Sequence, residues 1–131
     1  MGSLLLLEPN QLEVTSMERE RLQGVWHFVS GSREAQLLIS GECFTVHFKN
    51  GDTYRGTFTL DPSARPKRLD MEIVEGPERH RGMIALCIYA LDSNRLLWAA
   101  NKPGDTDAPT HFPPPGDKQN AHIVFERQKR K

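Results

Sequence analysis

The chain has 131 residues, 37% hydrophobic and 26% charged, and its 17 basic and 17 acidic side chains give a formal net charge of zero. That length suits one domain burying roughly two thirds of its unfolded surface, and the balanced charge removes any global drive toward nucleic acid or an anionic membrane. No apolar run approaches the about 20 residues of a membrane helix, and the leucine run near the start lacks the basic flank and small-residue cleavage site of a secretory signal. A cytoplasmic protein is expected, with a secreted parent as the alternative.

Residues 1–14 hold Leu4, Leu5, Leu6 and Leu7, followed by Pro9 and Asn10. This reads as an arm, either extended and packed on the domain or on a partner, or else a disordered lead. Four consecutive leucines favour burial over water, so the run is the candidate for self-association or for docking on a protein. Thr15 and Glu18 have the spacing of a capping box and predict about two helical turns over residues 17–22, ended by Gly24.

Residues 24–30 then alternate, Trp26 and Phe28 against His27 and Val29, at the period of a strand. A turn at residues 31–34 leads to a second strand over 35–39. The third, over 43–49, sets Phe44, Val46 and Phe48 against Thr45, His47 and Lys49. Asn50-Gly51 predicts a type I′ hairpin, and residues 54–60 return with Tyr54, Phe58 and Leu60 inward. Beyond a turn with two prolines at 61–67, Leu69, Met71 and Ile73 alternate with Asp70 and Glu72. Residues 83–91 are apolar almost throughout and predict a central strand covered on both faces.

Residues 96–100 and 121–127 supply the last two strands, with Ile123, Phe125 and Arg127 on one parity. Between them, residues 102–120 carry Pro109 and the Pro113, Pro114, Pro115 run between Gly104 and Gly116. So long an irregular segment in a small domain is expected to act as a flap, with Phe112 as its anchor. Residues 129–131 form a basic tail. About eight short strands joined mostly by tight turns predict an all-β, antiparallel up-and-down barrel over residues 15–128 with a short N-terminal helix; a two-sheet sandwich is the alternative.

The motifs Leu22-Gln23-Gly24-Val25-Trp26, Gly56-Thr57-Phe58-Thr59-Leu60-Asp61-Pro62, Pro66-Lys67-Arg68-Leu69-Asp70, Glu75-Gly76-Pro77-Glu78, Ile88-Tyr89-Ala90-Leu91-Asp92 and Ala108-Pro109-Thr110-His111-Phe112 occur in that order. Together they resemble a family of uncharacterised lipocalin-like domains recurrent in planctomycetes, across about residues 19–128. The resemblance implies a barrel whose Gly-x-Trp tryptophan, Trp26, plugs the closed end beneath an arginine from the last strand, here Arg127. It carries over no catalytic residue. The chain departs from the family pattern at Trp98, where a smaller or polar residue is expected, and in the N-terminal arm.

The inward parity makes Phe28, Phe44, Val46, Phe48, Tyr54, Phe58 and Met71, with Phe112 from the flap, the candidate lining for a small hydrophobic ligand; about eight strands lies at the boundary between a filled and a hollow barrel. If the barrel is filled, the same residues are core and the domain is a protein interaction module docking through its arm or outer surface. No hydrolase elbow, phosphate loop or dinucleotide fingerprint is present, so neither a catalytic residue nor a cofactor is expected. The five histidines lack the spacing that would aim two imidazoles at one metal. Basic clusters at 65–68, 79–81 and 127–131 have acidic neighbours in Asp61, Asp70, Glu75 and Glu78, which disfavours a nucleic-acid surface. Cys43 and Cys87 are expected to be buried, reduced thiols on strands too far apart to bridge.

Overall fold

The computed structural model describes residues 2–114, 116 and 121–128, with side chains from residue 11 onward. Helix α1 (Gly2–Leu22) precedes the strands β1 (Gly24–Gly31), β2 (Ala35–Ser40), β3 (Cys43–Phe48), β4 (Thr53–Asp61), β5 (Lys67–Glu75), β6 (Ile84–Leu91), β7 (Arg95–Ala100) and β8 (Ala121–Arg127). Each strand pairs antiparallel with its neighbour in sequence, and β1 closes on β8, so the eight strands form a closed up-and-down barrel rather than a sandwich. Closure leaves no unpaired edge to satisfy.

The period-two alternation places Leu37 and Ile39, Phe44 and Val46, Leu69, Met71 and Ile73, and Ile123 and Phe125 in one core, and burying each such large side chain contributes about 1.5–3 kcal/mol. Two local breaks in register let the sheet curl. The β4–β5 pairing shifts between Arg55 and Gly56, where a Cβ on Gly56 would lie 1.7 Å from the Glu72 carbonyl oxygen. The β1–β8 pairing skips Val29, leaving that side chain exposed and bringing Gly31, at φ +144°, so close that a Cβ would stand 2.2 Å from the His122 carbonyl. Bulges of this kind sharpen strand curvature.

The closed end is built around Trp26, which is fully buried. Its indole Nε1–H donates to the Leu22 carbonyl at 2.9 Å, and the Arg127 guanidinium lies over the ring, 4.3 Å from its centroid. Arg127 also donates to the carbonyls of Gln23, at 2.8 Å, and of Arg21. The last turn of α1 is thereby tied to the first and last strands. Gln23 extends the tie by exchanging two hydrogen bonds with the backbone of Gly41 in the β2–β3 turn, at 2.9 and 2.7 Å.

Beside it, the Glu18 carboxylate is buried and accepts from Lys67 Nζ at 2.9 Å and Tyr89 Oη at 2.8 Å on the same oxygen, while Arg21 reaches the other at 3.2 Å. Burial alone would raise its pKa, but the bonds from Lys67 and Tyr89 and the charges of Lys67 and Arg21 outweigh it and hold the carboxyl below its usual range. Burial, followed by the bond to Glu18, pushes the Tyr89 phenol up.

Several expectations are corrected. The helix predicted over residues 17–22 runs from Gly2 to Leu22, so there is no capping box: the Thr15 hydroxyl bonds back to the Gln11 carbonyl at 3.0 Å, and Glu18 serves the barrel instead. The side chains of Leu4, Leu5, Leu6 and Leu7, and residues 115, 117–120 and 129–131, lie outside the described residues. The β3–β4 turn is not type I′, because Asn50 keeps a negative φ and its side chain accepts the Asp52 N–H at 2.9 Å. The β6 strand is covered on both faces only in its middle, where outward Ile88 is fully buried; at its start the outward Ile84 is 47% exposed. Cys43 is exposed rather than buried, because it shares the outward parity of Thr45 and His47; both cysteines are free thiols. No helix among the described residues is long and apolar enough to cross a membrane.

The Glu18 geometry sets a pH dependence. A carboxyl whose folded pKa lies below its unfolded value contributes stability in full above the unfolded value, and loses it as pH falls through the folded one. Denaturant titrations of Glu18→Gln should therefore show a flatter stability profile than wild type between about pH 5 and pH 2, and Lys67→Met should cost on the order of 2 kcal/mol at neutral pH by leaving a buried carboxylate short of a partner. Gly56→Ala should cost about 3 kcal/mol or more by forcing β4 away from β5, whereas Thr57→Ala, on the outer face, should change stability by less than about 1 kcal/mol. Equal losses at the two positions would mean that the β4–β5 approach is not under steric control.

Candidate functional site: the open end of the barrel

The strands fill the barrel unevenly. Toward α1 the interior is occupied by Trp26, Tyr89, Phe125, Leu37, Leu69 and Leu96, all nearly inaccessible. Toward the other end β6, β7 and β8 present Ala85, Ala100 and Ala121, and β1 presents Gly31, so the wall recedes and leaves a cavity of about 860 Å³. Its apolar surface comes from Phe44, Val46, Phe48, Tyr54, Met71, Ile73 and Trp98. Trp98 is one of the largest groups on this wall. Its indole N–H is buried with no hydrogen-bond partner of good geometry, although it lies close enough to Cys87 to ease that thiol's ionisation slightly. Burial dominates there and pushes the Cys87 thiol well up.

Of the residues predicted to line a ligand site, Phe44, Val46, Phe48, Tyr54 and Met71 are brought together on the cavity wall. Phe28, Phe58 and Phe112 are not. Phe58 is buried in the packed part of the core, Phe28 packs against that core half-buried, and Phe112 is half-buried away from the cavity. From the expected flap it is Pro103, Pro113 and Gly116 that border the opening. The first turn of that segment is held to the barrel by the Gly104 N–H, which donates to the Ile84 carbonyl at 3.1 Å.

The rim is polar and draws on all four loops at this end. The β1–β2 loop brings Arg33, whose guanidinium lies over the Phe48 ring at 3.8 Å. The β3–β4 loop brings Asp52, which is 3.9 Å from Arg33 and 3.3 Å from Arg79. A 3₁₀ turn at Glu78–His80, in the β5–β6 loop, brings Arg79 and His80. His80 shares a 2.8 Å hydrogen bond with the Tyr54 hydroxyl and stacks on its ring. Lys102 enters from the segment after β7. Burial, then the charges of Arg79 and Lys102, lower the His80 pKa, against the opposing effect of Asp52. Burial likewise raises that of Tyr54.

Sequence reasoning missed this rim because its members are scattered over loops; the signal that could have found them is Arg79-His80-Arg81, the basic cluster of the β5–β6 loop. Among the described residues no three His, Cys, Asp or Glu side chains converge as a metal site would require. Comparison with protein-family models, with curated proteins and with solved structures finds no match.

The two thiols provide a check on this picture. In native protein an alkylating reagent should modify Cys43 readily and Cys87 only after unfolding, since the latter is both inaccessible and held as the thiol; mass measurement after each treatment should show one and then two adducts per chain. Equal native rates would show that the packed half opens on the labelling timescale.

Proposed function

We propose that the protein is a noncatalytic binding domain that holds one small, largely hydrophobic molecule in the open half of its barrel. The observation that carries this reading is the cavity, whose volume of about 860 Å³ falls within the range of about 300–1,000 Å³ common for small-molecule sites. An apolar occupant would leave water for contact with Phe44, Met71, Ile73 and Trp98, which is favourable roughly in proportion to the apolar area removed. The packed half below would hold that wall rigid, and the loops at the rim would govern access.

A second reading, a protein interaction module docking through α1, draws, among the described residues, on the exposure of Leu12, Val14 and Met17. At 3.6 residues per turn Val14 and Met17 share a face and Leu12 does not, so these three form no continuous stripe.

Titration with the neutral dye N-phenyl-1-naphthylamine tests the cavity reading. Saturable binding of one dye per chain is expected, with energy transfer from tryptophan that falls sharply in Trp98→Phe. Ala100→Phe, which adds a ring on the cavity wall, should weaken binding by roughly tenfold while preserving the circular dichroism of the barrel. Absence of saturable binding, or binding indifferent to Ala100→Phe, would overturn the proposal.

A further inference from the structure

Building on the cavity reading, we infer that the occupant is an anionic amphiphile, whose apolar body fills the barrel and whose single acidic head group rests at the rim between Arg33, His80 and Lys102.

The inference starts from an imbalance. The chain as a whole has equal numbers of acidic and basic side chains, yet among the described residues that line the cavity there is no Asp or Glu, while Arg33, Lys102, His80 and His122 are all present. Just outside the lining, Arg79 adds a third full positive charge. Asp52 is the carboxylate that faces them, and it is shared between Arg33 and Arg79. No ion pair of Lys102 is found among the described residues. Among the described residues whose charge bears on His80, three cations from three loops therefore meet one carboxylate.

The environment of His80 reports the same field. The groups facing it are Tyr54 from β4, Asp52 from the β3–β4 loop, Arg33 from the β1–β2 loop, Lys102 from the segment after β7, and Arg79 on its own turn. The cations that disfavour a proton on His80 favour an anion beside it. The apolar floor decides what kind of anion. A small inorganic ion would satisfy the rim but leave the wall of Phe44, Met71 and Ile73 against water, and a neutral hydrophobe would fill the cavity but leave the rim charges uncompensated. A molecule with one apolar body and one acidic head satisfies both, and charge-assisted hydrogen bonds to Arg33 and Lys102 would fix its orientation, head outward.

A matched pair of probes separates this inference from the reading beneath it. The dye 1-anilinonaphthalene-8-sulfonate has the same rings as N-phenyl-1-naphthylamine and one added sulfonate, which stays ionised over the working pH range. Wild-type protein should bind the sulfonate roughly tenfold more tightly than the neutral dye, the difference expected of one charge-assisted contact, and this margin should shrink as salt is raised. The double variant Arg33→Gln, Lys102→Gln should lose most of the margin, read as the ratio of the two dye affinities within the same variant; Lys102→Gln alone, at an exposed position, should lose part of it. Dodecanoate should displace either dye at lower concentration than 1-dodecanol does. Sulfonate affinity should also rise as pH falls through the titration of His80, because the bound anion favours the imidazolium, and His80→Gln should flatten that profile.

Equal affinity for the two dyes, or a sulfonate affinity unchanged in the double variant, would overturn the head-group inference and leave the cavity reading standing. Sulfonate binding indifferent to Ala100→Phe would place the dye outside the barrel and overturn it as well. Failure of the neutral dye to bind would count against the cavity reading itself.

Discussion

Everything in this fold depends on the indole of Trp26 being satisfied on all sides. A tryptophan buried without a partner for its N–H carries a desolvation penalty, and here the Leu22 carbonyl removes it. The ring face is occupied by Arg127, whose remaining donors reach the carbonyls of Gln23 and Arg21. Those carbonyls sit at the C-terminal end of α1, where helical C=O groups lack intrahelical donors and a cation is favoured. One cluster therefore caps the helix, seals the barrel base and joins the first strand to the last. The ring of strands closes because its two ends are fastened to the same object.

With the base sealed, the interior divides into two regimes. Large side chains pack the half near α1, whereas in the half beyond it the alanines of β6, β7 and β8 and Gly31 of β1 set one wall back from the aromatic and aliphatic groups opposite, so the space there is a consequence of side-chain volume at fixed strand geometry. The glycines in the two register breaks matter for the same reason. At Gly56 and Gly31 the partner backbone comes so close that any side chain would collide with it, and the curvature obtained there keeps the upper barrel open. Rigidity below and room above follow from one distribution of residue sizes.

The strands were legible where the alternation is unbroken, as in Phe44, Val46 and Phe48 or Leu69, Met71 and Ile73, and elsewhere from short apolar runs between turns marked by glycine, proline and asparagine. Five of the cavity residues could be read from that parity alone. Position along the barrel axis could not be: Phe28 and Phe58 share the inward parity but are not on the cavity wall, and period-two reasoning does not distinguish the two halves. The length of α1 was hidden by the leucine run and Pro9, which suggested a non-helical arm. Cys43 was misplaced because its apolar neighbours outweighed its own outward parity. The charged rim was invisible for a different reason, since Arg33, Asp52, His80 and Lys102 are far apart in sequence and meet only after closure.

That the rim is assembled from four separate loops has a consequence for how such a domain can change. Apart from Asp52, which touches Arg33 and Arg79 of two other loops, a substitution in one loop alters chiefly its own corner of the opening, and none of the loop residues belongs to the inward alternation of the strands or to the Trp26 cluster. The rim can thus drift, lose a charge or reverse its sign without a shift in strand register, and the stability of the barrel places almost no constraint on the chemistry of the mouth. The architecture separates heritable shape from negotiable chemistry, much as a vessel stays the same when only its stopper is exchanged.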